Sequence, residues 1–257
     1  MTNTPVEFTG SGTEDDPLRF DAMRKSAPDP VDVAVAGLAR TTQDHAAAFG
    51  SAAVGLPADL REIVGNASSA ITSTLSTAAN ARAEANGFLA DVRMYPEGRK
   101  TLAGQAIKAA TDKVTVSLEA ADALIDVAYA ETYEGARPRV APAEAMTARA
   151  DLQMATQRHV GSPGALIDTL KRLAQRSDSV GALVADPTYL GDFLSANGVE
   201  AETREAALTL VRSEVVKAAA QSGDQNRAVA GKANLALIEL KKARIAATSY
   251  TRHVLGR

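Results

Sequence analysis

The sequence predicts an all-α protein, an elongated bundle built on a long antiparallel helical hairpin. Three observations carry that expectation. Apolar and small residues recur in steps of three and four along most of the chain. No stretch keeps the strict alternation of a half-buried strand; 111–118 alternates locally but lies inside a longer helical period. The breaks are those of helices, with Asp29-Pro30, Ser162-Pro163 and Asp186-Pro187 at expected starts and Asn197-Gly198 at an expected stop.

Residues 1–28 read as an acidic arm, disordered or extended, rich in Thr, Gly, Pro and Asp with Phe8 and Phe20 as its large anchors. Asp29 then caps a short helix from Val31 to Phe49, with Val35, Leu38, Thr42 and Phe49 on one side. Gly50 to Gly55 reads as a link.

The hairpin occupies 56–135. Its first arm follows Pro57 and sets Leu60, Val64, Ala67, Ile71, Leu75, Ala78, Ala85, Leu89 and Val92 on one face. Its second arm repeats the spacing with Leu102, Ala106, Ile107, Ala110, Val114, Leu118, Ala121, Ile125 and Ala128. Tyr95-Pro96-Glu97-Gly98 is the expected break between them. One helix kinked at Pro96 is the alternative, and the poor fit of proline inside helices favours the hairpin. Buried alanines contribute little each, about 0.8 kcal/mol per methylene-sized group, so such a rod calls for a partner or copies of itself.

After a proline-punctuated linker, 143–257 reads as a smaller C-terminal helical domain, and 29–136 as the hairpin domain. Expected helices run over 143–159 (Met146, Ala150, Leu152, Met154), from 163 through Leu166, Leu170 and Leu173, and over 188–196 and 200–221. The last, Asn226 to about Leu255, places Val229, Leu235, Ile238 and Ile245 inward.

Among 257 residues there is no cysteine, so disulfides and thiolate chemistry are excluded. Aromatics make up 4% and tryptophan is absent. The net charge is −3, but it is unevenly spread. Residues 1–32 hold seven acids against Arg19, Arg24 and Lys25; in 226–257 Glu239 faces seven bases. No apolar run approaches the ~20 residues of a membrane helix, and a cytoplasmic protein, or a virion component if of phage origin, is expected.

Motifs for chemistry are lacking. His45, His159 and His253 stand alone, with no His-Glu-x-x-His and no Glu three places before any of them. Gly98-Arg99-Lys100-Thr101 and Gly231-Lys232 each miss the upstream glycine of a phosphate loop. Glu119, Asp122 and Asp126 line two turns of one helix and read as a solvated face rather than a cation site. No enzyme activity, cofactor, metal or membrane contact is therefore expected.

The basic last helix is the one candidate site, with Arg227, Lys232, Lys241, Lys242, Arg244 and Arg252 as partner-docking residues. The expected function is a non-enzymatic structural or assembly protein, an oligomerising coiled-coil-like subunit or scaffold whose partners are its own copies or other structural proteins. The alternative is a nucleic-acid-associated or regulatory binder acting through that helix. In organisation, though not in any motif, the chain resembles phage virion and scaffolding proteins, which are helical with a basic C-terminal docking element.

Overall fold

The computed structural model describes residues 7–9, 19–21, 30–159 and 161–256. Two three-residue strands, β1 (Glu7–Thr9) and β2 (Arg19–Asp21), pair antiparallel with Phe8 opposite Phe20. No strand is expected from the sequence; this short pair falls in the acidic arm, the rest of which lies outside the described residues. Everything else with regular structure among the described residues is helical.

Helix α1 (Pro30–Ala52) runs past Phe49 through Gly50 and Ser51, so the expected link shrinks to a 3-10 turn, Ala53–Gly55. Helix α2 (Ala58–Ala90) and helix α3 (Pro96–Ala136) follow. The break between them lies at 91–95 rather than 95–98. Pro96 is the first residue of α3, where its missing N–H costs nothing, and Gly98 is inside the helix. Asp91 closes the break by accepting from the Arg93 backbone N–H (3.1 Å) and Nε (2.9 Å). Arg99 Nη1 reaches back to the Leu89 carbonyl at 3.2 Å.

Six shorter or later helices complete the chain: α4 (Pro142–Thr156), α5 (Pro163–Arg176), α6 (Asp178–Ala185), α7 (Pro187–Ala196), α8 (Ala201–Ala220) and α9 (Gln225–Leu255). Proline opens α4, α5 and α7. Side-chain caps mark the starts of α6, α7 and α9. Asp186 accepts from the N–H groups of Thr188 (2.9 Å) and Tyr189 (3.3 Å), and Asp224 from those of Asn226 (2.9 Å) and Arg227 (3.2 Å). Gly198 ends α7 with φ +78°, the left-handed conformation that favours glycine.

These helices bury two apolar clusters. The first joins Phe49 of α1, Val64 and Ile71 of α2, Leu118 and Ile125 of α3, and Leu237 and Leu240 of α9. The second joins Leu152 (α4), Leu170 (α5), Val184 (α6), Leu190 and Leu194 (α7) and Val215 (α8) with Tyr133 at the end of α3. Helix α9 contacts helices of both groups, α8 as well as α1, α2 and α3. The buried face of α9 belongs to the first cluster, because Ala233, Leu237, Leu240, Ala243 and Ala247 share one side and dock on α1, α2 and α3.

Of the apolar residues expected along α4, Leu152 is buried, with Ala148 beside it, while Met146 and Met154 are 72% and 64% exposed. Two expected inner faces are corrected. At the end of the first hairpin arm, Leu89 and Val92 are 45% and 85% exposed. In α9, Leu235, Ile238 and Ile245 point outward. That helix has apolar residues on two sides, and the alanine-rich side packs because small residues let it approach its neighbours closely.

Side-chain contacts fix the direction of α9. Arg227 meets Ala136, Asn234 meets Thr132 and Arg244 meets Asp122, so α9 runs antiparallel to α3. The same register carries Leu255 to the level of about residue 111 of α3 at equal rise per residue. Beyond that level, residues 78–110 of α2 and α3 pack only on each other among the described residues. Their buried side chains are alanines, Ala78, Ala81, Ala85, Ala103 and Ala110, and none belongs to either cluster. With 41 residues, α3 is roughly 60 Å long, over three times the ~18 Å radius of gyration of a compact chain of this length. The projection is held weakly. Ala85→Gly removes a buried methyl and adds a helix-propensity cost, together about 1.5–2 kcal/mol. The expected result is faster hydrogen exchange confined to the projection, with exchange in the first cluster unchanged.

Candidate interaction surfaces

The six bases proposed for docking do not form one free patch. Arg227 is buried at 8% exposure. Its Nε donates to the Ala136 carbonyl at 3.1 Å and its Nη1 to Asp178 at 2.8 Å. It ties the start of α9 to the end of α3 and the start of α6, and as a docking residue it is corrected: its guanidinium is taken up by these internal contacts. Arg244 holds Asp122 with Nε at 3.0 Å and Nη2 at 2.7 Å, a fork-on-carboxylate geometry that fixes α9 on α3. This also breaks the acidic line on α3, leaving Glu119 and Asp126 outside the pair.

Lys242 and His45 share one carboxylate. Lys242 Nζ donates to Glu239 Oε1 at 2.8 Å, and His45 Nδ1 lies 2.6 Å from Glu239 Oε2. The Lys242 hydrogen bond, and then that of His45, hold the Glu239 carboxyl below its usual pKa range. Lys241 sits over the Tyr129 ring, 5.3 Å from its centre. Lys232 and Arg252 are exposed, with no partner among the described residues. The structure therefore divides the six into struts (Arg227, Arg244), a pair on the α1 side (Lys242), and three bases facing solvent.

The apolar residues beside them are what the sequence reading assigns to the wrong side. Leu235, Ile238 and Ile245 are 40%, 57% and 62% exposed, and with Lys242 and Arg252 they lie three, four or seven residues apart on the outer side of α9. A second apolar exposure sits at the end of the projection, where Leu89, Val92 and Tyr95 are 45%, 85% and 88% exposed.

A cleft of about 1040 Å³ separates the clusters at the other end, among the α1–α2 link, the end of α3 and the α8–α9 turn. Its charged groups largely satisfy each other: Arg137 pairs with Glu134 and Arg227 with Asp178, both at 2.8 Å. Among the described residues no group of three His, Asp or Glu gathers to hold a metal, and no helix is long and apolar enough to cross a membrane.

One buried carboxylate, Glu214 of α8, stands apart from these surfaces. Burial pushes it up, but hydrogen bonds from Lys217 (2.8 Å) and Gln175, with Lys217 the larger, outweigh that and leave its pKa lowered. A depressed folded pKa contributes stability above the unfolded value and loses it as pH falls through the folded one. Glu214→Gln is expected to cost about 1–2 kcal/mol at neutral pH. It should also flatten the acid side of the stability profile, as read from denaturant midpoints between pH 7 and 3.

The geometry defines a class, an all-α protein of two helical clusters with a projecting helix pair. Compared with models of known families, with curated proteins and with solved structures, the chain matches none.

Proposed function

We propose that this chain is a non-enzymatic assembly subunit, an oligomerising helical component or scaffold of the kind used in virions or capsid assembly. The observation that carries the reading is the projection at 78–110. Its alanine seam contributes little on its own, and it presents Leu89, Val92 and Tyr95 at its end. Isolated exposed apolar residues are ordinary, but three grouped at the tip of a helical pair form a surface that association would bury. The internal pairing of Arg227, Arg244 and Lys242 favours this reading over a nucleic-acid binder, because it leaves few bases free for phosphates.

Sedimentation equilibrium over a hundredfold concentration range, at two ionic strengths and with and without duplex DNA, tests it. The expected result is concentration-dependent oligomers indifferent to DNA. A monomer at every concentration overturns the reading, and DNA binding that falls steeply with salt replaces it with the alternative.

A further inference from the structure

The outer side of α9 has a counterpart elsewhere on the same chain. Positions 235, 238, 242, 245, 249 and 252 alternate steps of three and four, the 3.5-residue spacing of a coiled-coil seam, and the large residues there are Leu235, Ile238 and Ile245. On α3, positions 116, 120, 123, 127 and 130 have the same spacing and are Val, Ala, Ala, Val and Ala, all exposed. The first seam offers bulky knobs and the second offers shallow holes.

Their borders differ in charge. The α3 seam is flanked at seven-residue intervals by Asp112, Glu119 and Asp126, exposed and without a partner among the described residues. The α9 seam carries Arg252 within it and Lys241 beside it, both exposed, with Lys241 also over the Tyr129 ring of its own α3. The chain cannot close this match on itself. Its own α9 lies on the Asp122–Thr132 side of α3, and the α3 seam is on the opposite side. Nor does either seam suit itself, since two α9 seams would juxtapose bases and two α3 seams would juxtapose acids.

We infer that the α9 outer face of one copy docks as a helix pair on the outer α3 face of a second copy, making a head-to-tail contact. This inference rests on the assembly reading above, names a second copy as the partner, and adds a contact separate from the tip of the projection. Two different surfaces in contact generate a ring if the rotation closes and a filament if it does not.

Charge reversal with complementation tests it. K241E/R252E reverses one seam and E119K/D126K the other; each alone is expected to weaken self-association at least tenfold in sedimentation velocity at low salt. An equimolar mixture of the two variants should restore association, since every face then meets its opposite charge. Circular dichroism and the melting midpoint check folding. I238S/I245S, which changes only exposed side chains, gives the same loss without altering charge. If the wild type associates but the reversals leave it unchanged, or the mixture fails to recover, these faces are not the contact and the assembly reading stands. If the wild type is monomeric throughout, both fall.

Discussion

Arg227→Met lowers the stability of the folded chain by about 2–3 kcal/mol and leaves the self-association of the folded protein unchanged. The magnitude follows from what the guanidinium touches. Ala136 is the last residue of α3 and is fully buried, so its carbonyl lacks a helical partner and water cannot supply one. Nε fills that role at 3.1 Å. Removing a charged donor and stranding a buried acceptor costs roughly 1.5–3 kcal/mol. The second contact, to Asp178, adds little, because that carboxylate is 67% exposed and solvent screens the pair. Methionine keeps most of the buried aliphatic volume, which isolates the polar loss. In thermal melts the midpoint should fall by roughly 5–10 °C. A docking role would give the reverse, an unchanged midpoint and weaker association.

Gly231→Val has the larger effect, and its site is where the two clusters meet. A Cβ at this position would lie 2.5 Å from the Ala220 nitrogen, 2.9 Å from the Ala219 carbonyl carbon and 2.9 Å from the Val216 oxygen. All three are backbone atoms of α8, which cannot rotate aside as a side chain can. Overpacking in a well-filled interior costs about 1–3 kcal/mol; here whole-helix displacement adds to it, and a β-branched residue recovers little of the glycine's helix cost. The expected loss is at least 3 kcal/mol in denaturant unfolding, with the single transition splitting in two as α8 and its cluster separate from α9. Gly104 is the control. It lies in α3 with nothing within 4 Å of its Cβ position, so Gly104→Ala should stabilise by about 0.5–1 kcal/mol.

The helices were legible because proline, aspartate and glycine mark their ends. Pro30, Pro163 and Pro187 all open helices, and Asp186 and Gly198 bound α7 as their types predict. Periodicity also found the inner faces of α2 and α3 where one stripe of Val64, Ile71, Leu118 and Ile125 dominates, but it carried the α2 stripe too far, to Leu89 and Val92, which are exposed at the open end of the pair. It failed in α9 for a physical reason. Ranking residues by size favours Leu235, Ile238 and Ile245, yet close packing among four helices selects the alanine side with Leu237 and Leu240. The signal that could have shown this was present: Ala233, Leu237, Leu240, Ala243 and Ala247 keep helical spacing too. Likewise, formal charge alone cannot separate a buried strut such as Arg227 from a free base such as Arg252. The difference depends on Ala136 and Asp178, which lie 91 and 49 residues away. For the projection, the sequence carries the alanine seam but not the level at which α9 stops supporting it.

Helix α9 is an internal strut whose inner side builds the first cluster while its outer side faces away, and residues 78–110 project beyond it. Residue-resolved hydrogen exchange of the native chain measures both at once. Amides of α9 from 231 to 247 should exchange among the slowest in the molecule, together with 118–128 of α3, and those of 80–105 markedly faster. Rapid, independent exchange along α9, as for a detached basic tail, or protection in 80–105 equal to that of the first cluster in dilute monomer, would contradict this arrangement.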